Sequence, residues 1–502
     1  MLQPEVIIIG SGMGGLACGT IMAKNGYKVT VLEKNSQLGG MLQIFVRDKV
    51  IFDTGIHYVG GLCEGQNLHR LFCYLGIMDK INIRRMDEDF FDGVILGDDP
   101  VVYKFAQGYD NFIRVMTSYF PDEGDAISAF CDKIRAVCRD YPLYNFQSGG
   151  YSDTEKGSTT DTKAFLETLT NNRKLINVLA GTNLLYAGEA NKTPLYIHAL
   201  IMNHYIESSW KFVDGGSQIA KLLAGEIKKR GGRIIRRAHV KYLKEQDGKI
   251  IYAETDSGEK FFGDLFISNV HPRKTMDMTD SHMIRAAYRS RIGSLSNTIS
   301  VFYANVVLKK NTLKYLNSNL YVLEQEDAWS AINYTEESWP QGYAIYYVAS
   351  SKHTEYAEGL TVMSYMRMEE VSPWADTFNT TDHESSRGEE YEIFKKEKAE
   401  RLFNAVERKI PGFRAAIASY TTATPLTARD YIGTDDGALY GFAKDYRNPL
   451  KTTLSPRTKI PNLLLTGQNI NMHGVLGVTL SSVVTCGQVL GMDKLVEKIR
   501  NA

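Results

Sequence analysis

The first residues of the chain alternate short apolar runs with a glycine-rich stretch and a helix-like one. Residues 6–9 form a β-branched run, which is typical of a strand buried on both faces of a sheet. Residues 16–25 have helical character, and Gly26 is a typical helix stop. A second β-branched run, Lys28–Leu32, leads to Glu33. The order strand, helix, strand within about 30 residues predicts one βαβ unit of a parallel sheet.

After residue 76 the spacing of the apolar positions changes from one region to the next. Residues 109–141 repeat apolar side chains at helical spacing, which predicts a helical stretch with one apolar face. Residues 147–162 form a polar loop rich in Gly, Ser and Thr. Strand-like runs dominate residues 298–367 and indicate a mixed or antiparallel sheet. Residues 388–409 predict a charged helix.

Two later segments return to the alternation seen at the start. From residue 213 the pattern predicts a helix that stops at Gly231, followed by strands, and the C-terminal residues predict a strand, a glycine-rich turn and a helix. The expected fold class is α/β (α+β overall), with a Rossmann-type domain assembled from separated segments and an inserted substrate domain of helices and mixed sheet. The expected Rossmann-type domain takes residues 1–75, 211–285 and 441–502. The inserted domain takes residues 76–210 and 286–440.

The composition argues against several classes of protein. Lys plus Arg and Asp plus Glu number 58 each, so no net charge attracts a nucleic acid. The six cysteines include no Cys-x-x-Cys pair and no metal-ligand spacing, which indicates free thiols in a reducing compartment. A disulfide reductase and a metal site are therefore not expected. The 29 Tyr and 21 Phe suit either core packing or an apolar ligand channel.

Two apolar runs in the sequence could be mistaken for membrane-spanning or export segments, so they bear on the localisation of the protein. Residues 5–22 have no basic leader, and residues 474–491 are short and rich in Gly, Ser and Thr. We therefore expect a cytoplasmic protein without a transmembrane helix. Peripheral contact with a membrane stays open, because the apolar face of residues 109–141 fits either a membrane surface or the core. The sequence leaves the oligomeric state open.

Gly10, Gly12 and Gly15 form the pattern Gly-x-Gly-x-x-Gly between the first predicted strand and helix, with Gly14 inside it. Glycines at these positions allow a tight turn, close approach of the backbone to a pyrophosphate and close packing of helix on sheet. The helix N-terminus then presents free N–H groups to the phosphates. Glu33 ends the next strand, where a carboxylate accepts hydrogen bonds from ribose hydroxyls. The pattern predicts a dinucleotide site, and the acidic residue disfavours a 2′-phosphate.

The glycine pattern alone does not distinguish FAD from NAD. Gly39 and Gly40 add a second close approach of the backbone to the same ligand. Near the C-terminus a predicted strand leads into Gly467 and Gln468, and we expect Gly477 to open a helix without charged residues. The N-terminus of such a helix would stabilise negative charge on a reduced flavin, which favours FAD.

Taken together, these motifs resemble the phytoene desaturase, carotenoid isomerase and retinol saturase group of flavoproteins. The resemblance covers nearly the whole chain and is least specific at residues 100–200. The blocks at 52–60 (FDTGIHYVG) and 422–441 (TATPLTARDYIGTDDGALYG) are especially similar to the saturase and isomerase branch. Met41 stands where many members have Arg after the diglycine, which puts one expected phosphate or flavin contact in question. Gln468 stands where many members have Asp or Glu, and it can still hydrogen-bond ribityl hydroxyls although it carries no charge.

The resemblance implies bound FAD and a set of site residues. His57, expected beside the flavin ring, and Tyr431 are candidate catalytic residues, as proton donor or substrate orienter. A structural hydrogen bond by His57 and a tunnel-lining role of Tyr431 are the alternatives, and His473 is expected to cap the glycine-rich turn. The implied cofactor-binding residues are Gly10, Gly12, Gly14, Gly15, Glu33, Lys34, Gly39, Gly40, Met41, Gly55, Ile56, His57, Val240, Gly467, Gln468, Gly477 and Val478.

The activity implied by the resemblance is hydride exchange between the flavin and a carbon of a lipophilic substrate. We rank reduction of an alkene first, isomerisation by transiently reduced flavin second and desaturation third. An amine oxidase on the same fold and a non-catalytic prenyl- or lipid-binding module are alternatives from other classes. The sequence has no second strand, Gly-x-Gly-x-x-Gly and helix unit. The electron partner is therefore NAD(P)H bound without its own Rossmann domain, or a quinone or similar carrier.

Overall fold

The computed structural model describes residues 3–147, 159–352 and 355–502. Its first large sheet is parallel and combines strands from the three regions that alternate strand and helix. In spatial order the strands are Arg233–Ile235, Lys28–Leu32, Glu5–Ile9, Leu265–Ser268 and Leu463–Leu465. The expected fold class, with a Rossmann-like unit built from separated segments, is confirmed.

Helices pack on this parallel sheet and on each other. Gly19 of the first helix allows a close approach, because a Cβ there would lie 2.8 Å from Ile227 Cδ1 on the neighbouring helix. The first helix is apolar on all sides and almost wholly buried, since it packs against the sheet and two other helices. These helices are Met13–Lys24, Ser217–Lys229, Gly474–Leu490 and Met492–Arg500.

Small antiparallel units extend the parallel sheet. A turn at residues 256–259 joins two strands of a three-stranded unit that begins at Val240. A two-stranded ribbon follows Gly39 and Gly40, and a second three-stranded unit has Ser209–Phe212 as its central strand. The first three-stranded unit consists of Val240–Gln246, Lys249–Thr255 and Lys260–Phe262. The ribbon consists of Ile44–Arg47 and Val50–Asp53. The second three-stranded unit consists of Val59–Gly60, Ser209–Phe212 and Ile83–Arg85.

The second large sheet is the mixed sheet expected in the inserted region. Its neighbours run antiparallel apart from the pair Asn319–Leu323 and Asp92–Leu96, which is parallel. Its central strands are buried along their whole length, which explains their continuous apolar runs. In spatial order the strands are Ile417–Ala423, Ser300–Leu308, Gly359–Met366, Gly342–Tyr347, Asn319–Leu323, Asp92–Leu96 and Tyr103–Phe105.

The remaining helices lie around these sheets. The charged helix expected at residues 388–409 is present as Glu389–Lys409. The polar loop predicted at residues 147–162 lies for the most part outside the described residues. The other helices are Asn67–Leu75, Tyr109–Tyr119, Gly124–Arg139, Thr162–Leu169, Arg173–Leu179, Leu195–Glu207, Pro272–Asp277, Ala286–Gly293, Phe413–Ala416 and Pro425–Ile432.

For the apolar face of residues 109–141, which fitted either a membrane surface or the core, the structure supports the core. The segment is two helices separated at Phe120 and Pro121, because proline favours the start of a new helical turn and cannot continue the previous one. Phe112, Phe130 and Ile134 of its apolar face are fully buried in the core. That face is therefore occupied by protein. Within the described part of the chain, no helix combines the length and the apolar character needed to cross a bilayer.

Candidate functional site

A cavity of about 1300 Å³ connects the glycine-rich loops of the parallel sheet to an aromatic region beside the mixed sheet. Its wall includes Ile9 and Leu32 at the ends of the first two strands, and Tyr303 and Tyr346 of the mixed sheet. Parallel α/β sheets bind ligands at the carboxyl ends of their strands, where this cavity begins. Of the sequence-predicted site residues, all except Gly15 line the cavity.

The first glycine loop is shaped by contacts that exclude larger side chains. Gly10 has a φ of +91°, a conformation that favours glycine. A Cβ on Gly15 would lie 2.0 Å from the Gly10 carbonyl oxygen, and one on Gly14 would lie 3.1 Å from Gly467 Cα. Because the helix begins at Met13, its free N–H groups face the cavity at this loop. These residues therefore fit a bound diphosphate.

Glu33 is buried at the end of the second strand and holds the glycine loop in place. Its Oε2 accepts hydrogen bonds from the Ser11 amide at 2.9 Å and the Ser11 hydroxyl at 2.6 Å, and its Oε1 accepts from the Asn35 amide at 2.8 Å. The neighbouring Lys34 Nζ donates to the Asp430 carbonyl at 2.8 Å. Burial lowers the pKa of Lys34. Val240, one of the implied cofactor-binding residues, lines the same cavity.

The second glycine pair lies directly on the first loop. The Gly39 amide donates to the Ser11 carbonyl at 3.1 Å, and a Cβ on Gly40 would lie 3.2 Å from Gly12 Cα. Met41 packs against Gly55, where a Cβ would come within 2.3 Å of the Met41 Cε. The diglycine and the residues that follow it therefore continue the backbone cradle begun by Gly10 and Gly12.

His57 lies farther along the cavity, in an aromatic environment. Its imidazole stacks on Tyr346, with ring centroids 4.2 Å apart, and its Nε2 has no hydrogen-bond partner although it is buried. Burial lowers the pKa of His57 to about 3, and the charge of Lys211 adds to this effect. The imidazole is therefore neutral near pH 7 and does not carry the spare proton of a general acid. Gly55 and Ile56 line the cavity beside it.

The C-terminal residues close the cavity from the other side. Gly467 has a φ of +100° and follows the last strand, and Gln468 lines the cavity next to it. The helix expected to open at Gly477 begins at Gly474 instead, which corrects the sequence prediction. Gly477 is needed in the first turn because a Cβ there would lie 2.6 Å from the Met472 Cβ. Val478 follows it on the cavity wall.

The two candidate catalytic residues are not brought together. The Tyr431 hydroxyl accepts a hydrogen bond from the Thr381 amide at 2.9 Å, and its carbonyl accepts from Asn35 Nδ2 at 3.1 Å. Tyr431 therefore lies at the Glu33 end of the cavity, and within the described residues no recorded contact joins it to His57. His473 precedes the C-terminal helix, and its Nε2 is 3.1 Å from the Leu185 carbonyl oxygen, so its side chain does not cap the helix.

Sequence reasoning missed most of the aromatic end of the site. Tyr58 was part of the quoted block 52–60 but received no role, and its hydroxyl donates to the buried Asp92 Oδ2 at 2.6 Å, a contact that no local motif signals. The high tyrosine count was the available signal, because it suggested a ligand channel without placing it. The cavity-lining tyrosines at this end are Tyr58, Tyr205, Tyr303, Tyr346 and Tyr440.

Comparison with known proteins agrees with this geometry. Residues 8–75 match the NAD(P)-binding Rossmann-like domain family. Over 97% of its length the chain is 25% identical to all-trans-retinol 13,14-reductase from Rattus norvegicus, covering 85% of that protein. Over 98% of its length it is 24% identical to prolycopene isomerase 2 from an Oncidium hybrid cultivar, also covering 85% of that protein. The chain is an oxidoreductase.

The resemblance inferred from the motifs is thus confirmed by similarity along the whole chain. Among solved structures, putrescine oxidase bound to putrescine has the same fold, with a TM-score of 0.64, 12% sequence identity and 99% coverage of both chains. At 12% identity, this similarity shows that the two proteins share a fold. It does not indicate which substrate the oxidoreductase uses.

Proposed function

We propose that this oxidoreductase uses FAD to reduce a carbon–carbon double bond of a lipophilic, isoprenoid-like substrate. The observation that carries the proposal is that one continuous cavity joins a dinucleotide cradle to a tyrosine-rich region, in a chain similar over its whole length to retinol reductases. The size of the cavity supports the proposal, because a dinucleotide and an extended substrate would fit in it together.

The residues that line the cavity fit FAD. The backbone cradle of Gly12, Gly14 and Gly40 excludes side chains where a diphosphate would lie. Glu33 would bind the ribose hydroxyls, and the loop containing His57 would face the flavin ring. When bound, the flavin supplies hydride exchange with a substrate carbon.

The role of the protein is to orient the substrate and to exclude water from it. The aromatic end of the cavity is lined by tyrosines and by apolar side chains such as Leu200, Ile201 and Met363. This lining suits a long apolar ligand whose reacting bond must lie against the flavin. Neutral His57 can orient the ligand or the flavin through a hydrogen bond, but the proton needed by the second alkene carbon requires another source.

Isomerisation of a polyene is the second candidate, because the chain is similar to prolycopene isomerases over a comparable length. Desaturation ranks third. For reduction, the electron donor is NAD(P)H or a reduced quinone-like carrier, and for desaturation an oxidised quinone-like carrier accepts the electrons. The lipophilic substrate calls for delivery from a membrane or a carrier protein.

The direct test is a single-turnover assay with FAD-reconstituted enzyme that has been reduced chemically under anaerobic conditions. The reduced enzyme is mixed in turn with all-trans-retinol, a cis-carotenoid and a steroid enone. Its flavin is expected to become oxidised, and the product is expected to be heavier than the substrate by two hydrogens. Oxidised enzyme and FAD-free protein are the controls. A cis-to-trans product without mass change would support the isomerase instead. Peroxide release with amines, or purified protein that takes up no FAD, would contradict the proposal.

A further inference from the structure

Asn269 lies where loops from neighbouring strands of the parallel sheet meet. It directly follows the strand Leu265–Ser268, and its backbone amide donates to the Ile9 carbonyl at the end of the first strand, at 2.8 Å. On the other side of Leu265–Ser268 lies the strand Leu463–Leu465, which leads to Gly467. Strand pairing therefore places Asn269 between the loop after the first strand and the loop after the last strand.

The side chain of Asn269 occupies space that glycines leave open in both of these loops. A Cβ on Gly12 would lie 2.7 Å from Asn269 Nδ2, and a Cβ on Gly467 would lie 2.7 Å from Asn269 Oδ1. A Cβ on Gly14 would overlap the same oxygen. Because a real Cβ does not approach another atom this closely, a larger residue at any of these positions would displace the amide group. The glycines thus make room for Asn269 as well as for a ligand.

The amide group of Asn269 differs from those of the other asparagines on the cavity wall. Each of these other amides bonds to a protein group: Asn35 to the Tyr431 carbonyl, Asn469 to the Phe442 amide and Asn471 to the Tyr141 hydroxyl. Within the described part of the chain, the Asn269 side chain has no such partner, although the residue is half-buried. Polar groups in this situation normally bond to water or to a ligand. The two N–H donors of Asn269 are therefore available to a molecule in the cavity.

The neighbours of Asn269 are the backbone groups that fit a diphosphate. Gly12 precedes the first helix and Gly14 lies in its first turn, where the free N–H groups face the cavity. Gly40 approaches the same loop, since a Cβ there would lie 3.2 Å from Gly12 Cα. A diphosphate held by these backbone groups therefore comes within reach of the Asn269 amide.

Charged side chains on the cavity wall have other partners. Arg237 pairs with Asp382 at 2.9 Å, and Lys274 pairs with Asp435 at 2.6 Å. Met41, which follows the second glycine pair, has no N–H or O–H group in its side chain and cannot donate to a phosphate. None of these three side chains therefore replaces the neutral amide of Asn269 as a donor beside the first glycine loop.

We propose that Asn269 is a cofactor-binding residue whose side-chain amide donates a hydrogen bond to the diphosphate of the bound dinucleotide. The inference rests on the FAD site proposed above and adds a contact from a third loop of the sheet. The chemical group that Asn269 recognises is a nucleoside diphosphate, which FAD and ADP share. An aspartate of the same shape would place a negative charge beside the phosphates and would oppose binding.

Two substitutions separate hydrogen bonding by Asn269 from space filling. Asn269→Asp keeps the shape of the side chain and replaces its donors by a negative charge, whereas Asn269→Ala removes the amide group altogether. Asn25→Asp is the matched control. Asn25 is also half-buried, but it lies at the opposite end of the first helix, where Lys498 Nζ donates to its Oδ1 at 2.6 Å, outside the cavity wall.

The first readout is the affinity of the full-length apoprotein for FAD, ADP and adenosine, measured by calorimetric titration. Asn269→Ala is expected to weaken FAD and ADP binding about 10-fold or more, because hydrogen bonds to charged groups contribute roughly 1.5–3 kcal/mol. Asn269→Asp should weaken both by about 100-fold or more, since repulsion between like charges is added to the lost donor. Adenosine, which has no phosphate, should bind both variants as it binds the wild type. Asn25→Asp should keep the wild-type affinity for all three ligands.

The second readout is urea unfolding of the apoproteins. Asn269→Asp should be at least as stable as the wild type, because its charge lies near the positive end of the first helix dipole. Wild-type FAD and ADP affinities in Asn269→Asp, or equal losses for ADP and adenosine, would overturn the diphosphate contact. If the wild type binds ADP but reduces no alkene, the reductase proposal fails and the ADP titration still decides the role of Asn269. A wild type that binds neither FAD nor ADP would contradict both proposals.

Discussion

At the scale of single residues, Glu33 is the site residue whose contacts most directly suggest a test. Its buried carboxylate already accepts three hydrogen bonds from Ser11 and Asn35, so both oxygens are fixed at the end of the strand. For Glu33→Gln we expect FAD affinity to fall about 10- to 100-fold, because hydrogen bonds to a charged group contribute roughly 1.5–3 kcal/mol. Titration of apoprotein with FAD, followed by flavin fluorescence, measures this loss.

Glu254→Gln is the control for this titration. Glu254 lies in the small antiparallel unit, 3.9 Å from Lys260, and is not part of the cavity wall. Its variant is expected to bind FAD as tightly as the wild type. Equal FAD affinities for Glu33→Gln and the wild type would contradict a contact between Glu33 and the ribose.

The residue scale also shows where sequence reasoning ends. His57 was found because it stands inside a recognisable block, but its neutral state depends on burial that the block does not encode. Asp92 was missed because its partners Tyr58 and Asn319 are 34 and 227 positions away in the chain. Tyr431 was placed in the chemistry by its neighbours in sequence, whereas its contacts with Asn35 and Thr381 place it at the Glu33 end.

At the scale of elements, the turn between the first strand and helix depends on Gly15. A Cβ at this position would lie 2.0 Å from the Gly10 carbonyl oxygen, which is backbone and cannot move without opening the turn. For Gly15→Ala we expect a loss of about 1–3 kcal/mol in the free energy of unfolding and a purified protein with little bound FAD. Urea unfolding and the flavin-to-protein absorbance ratio measure the two effects.

Gly225→Ala gives the opposite expectation within the same fold. Gly225 is an exposed residue of the helix Ser217–Lys229, and a Cβ there would meet no atom within 4 Å. Alanine should stabilise this helix by roughly 0.5–1 kcal/mol and leave FAD content unchanged. If Gly15→Ala and Gly225→Ala had the same effects on the free energy of unfolding and on FAD content, the close contact between residues 15 and 10 would not be the cause of the losses.

Elements whose signals are local were predicted well from the sequence. The first βαβ unit and the helix Glu389–Lys409 were found because strand and helix periodicity is written in consecutive residues. The start of the helix Gly474–Leu490 and the break at Phe120 were missed, since helix ends depend on tertiary contacts as well as on the local sequence. The order of the seven-stranded sheet was beyond reach, because it is fixed by pairings between distant segments.

At the scale of the whole molecule, buried histidines make folding depend on pH. Burial lowers the pKa values of His57, His198 and His204 to about 3, from 6.5 for an exposed imidazole. Between these values the unfolded chain binds more protons than the folded one at these sites, so their contribution to stability is complete above pH 6.5 and is lost as pH falls toward 3. The raised pKa values of Asp53 and Asp92, about 7, act in the opposite sense between 3.8 and 7.

A single substitution isolates the histidine effect from the aspartates. His204 is buried with neither ring nitrogen hydrogen-bonded, so His204→Gln removes one site that titrates only on unfolding. Between pH 6 and pH 5 we expect the wild-type free energy of unfolding to fall more steeply than that of the variant, by roughly 1 kcal/mol per pH unit. Urea unfolding at both pH values measures the slopes. His282→Gln, at an exposed position, should follow the wild-type slope, and equal slopes for all three proteins would show that His204 takes up no proton when the chain unfolds.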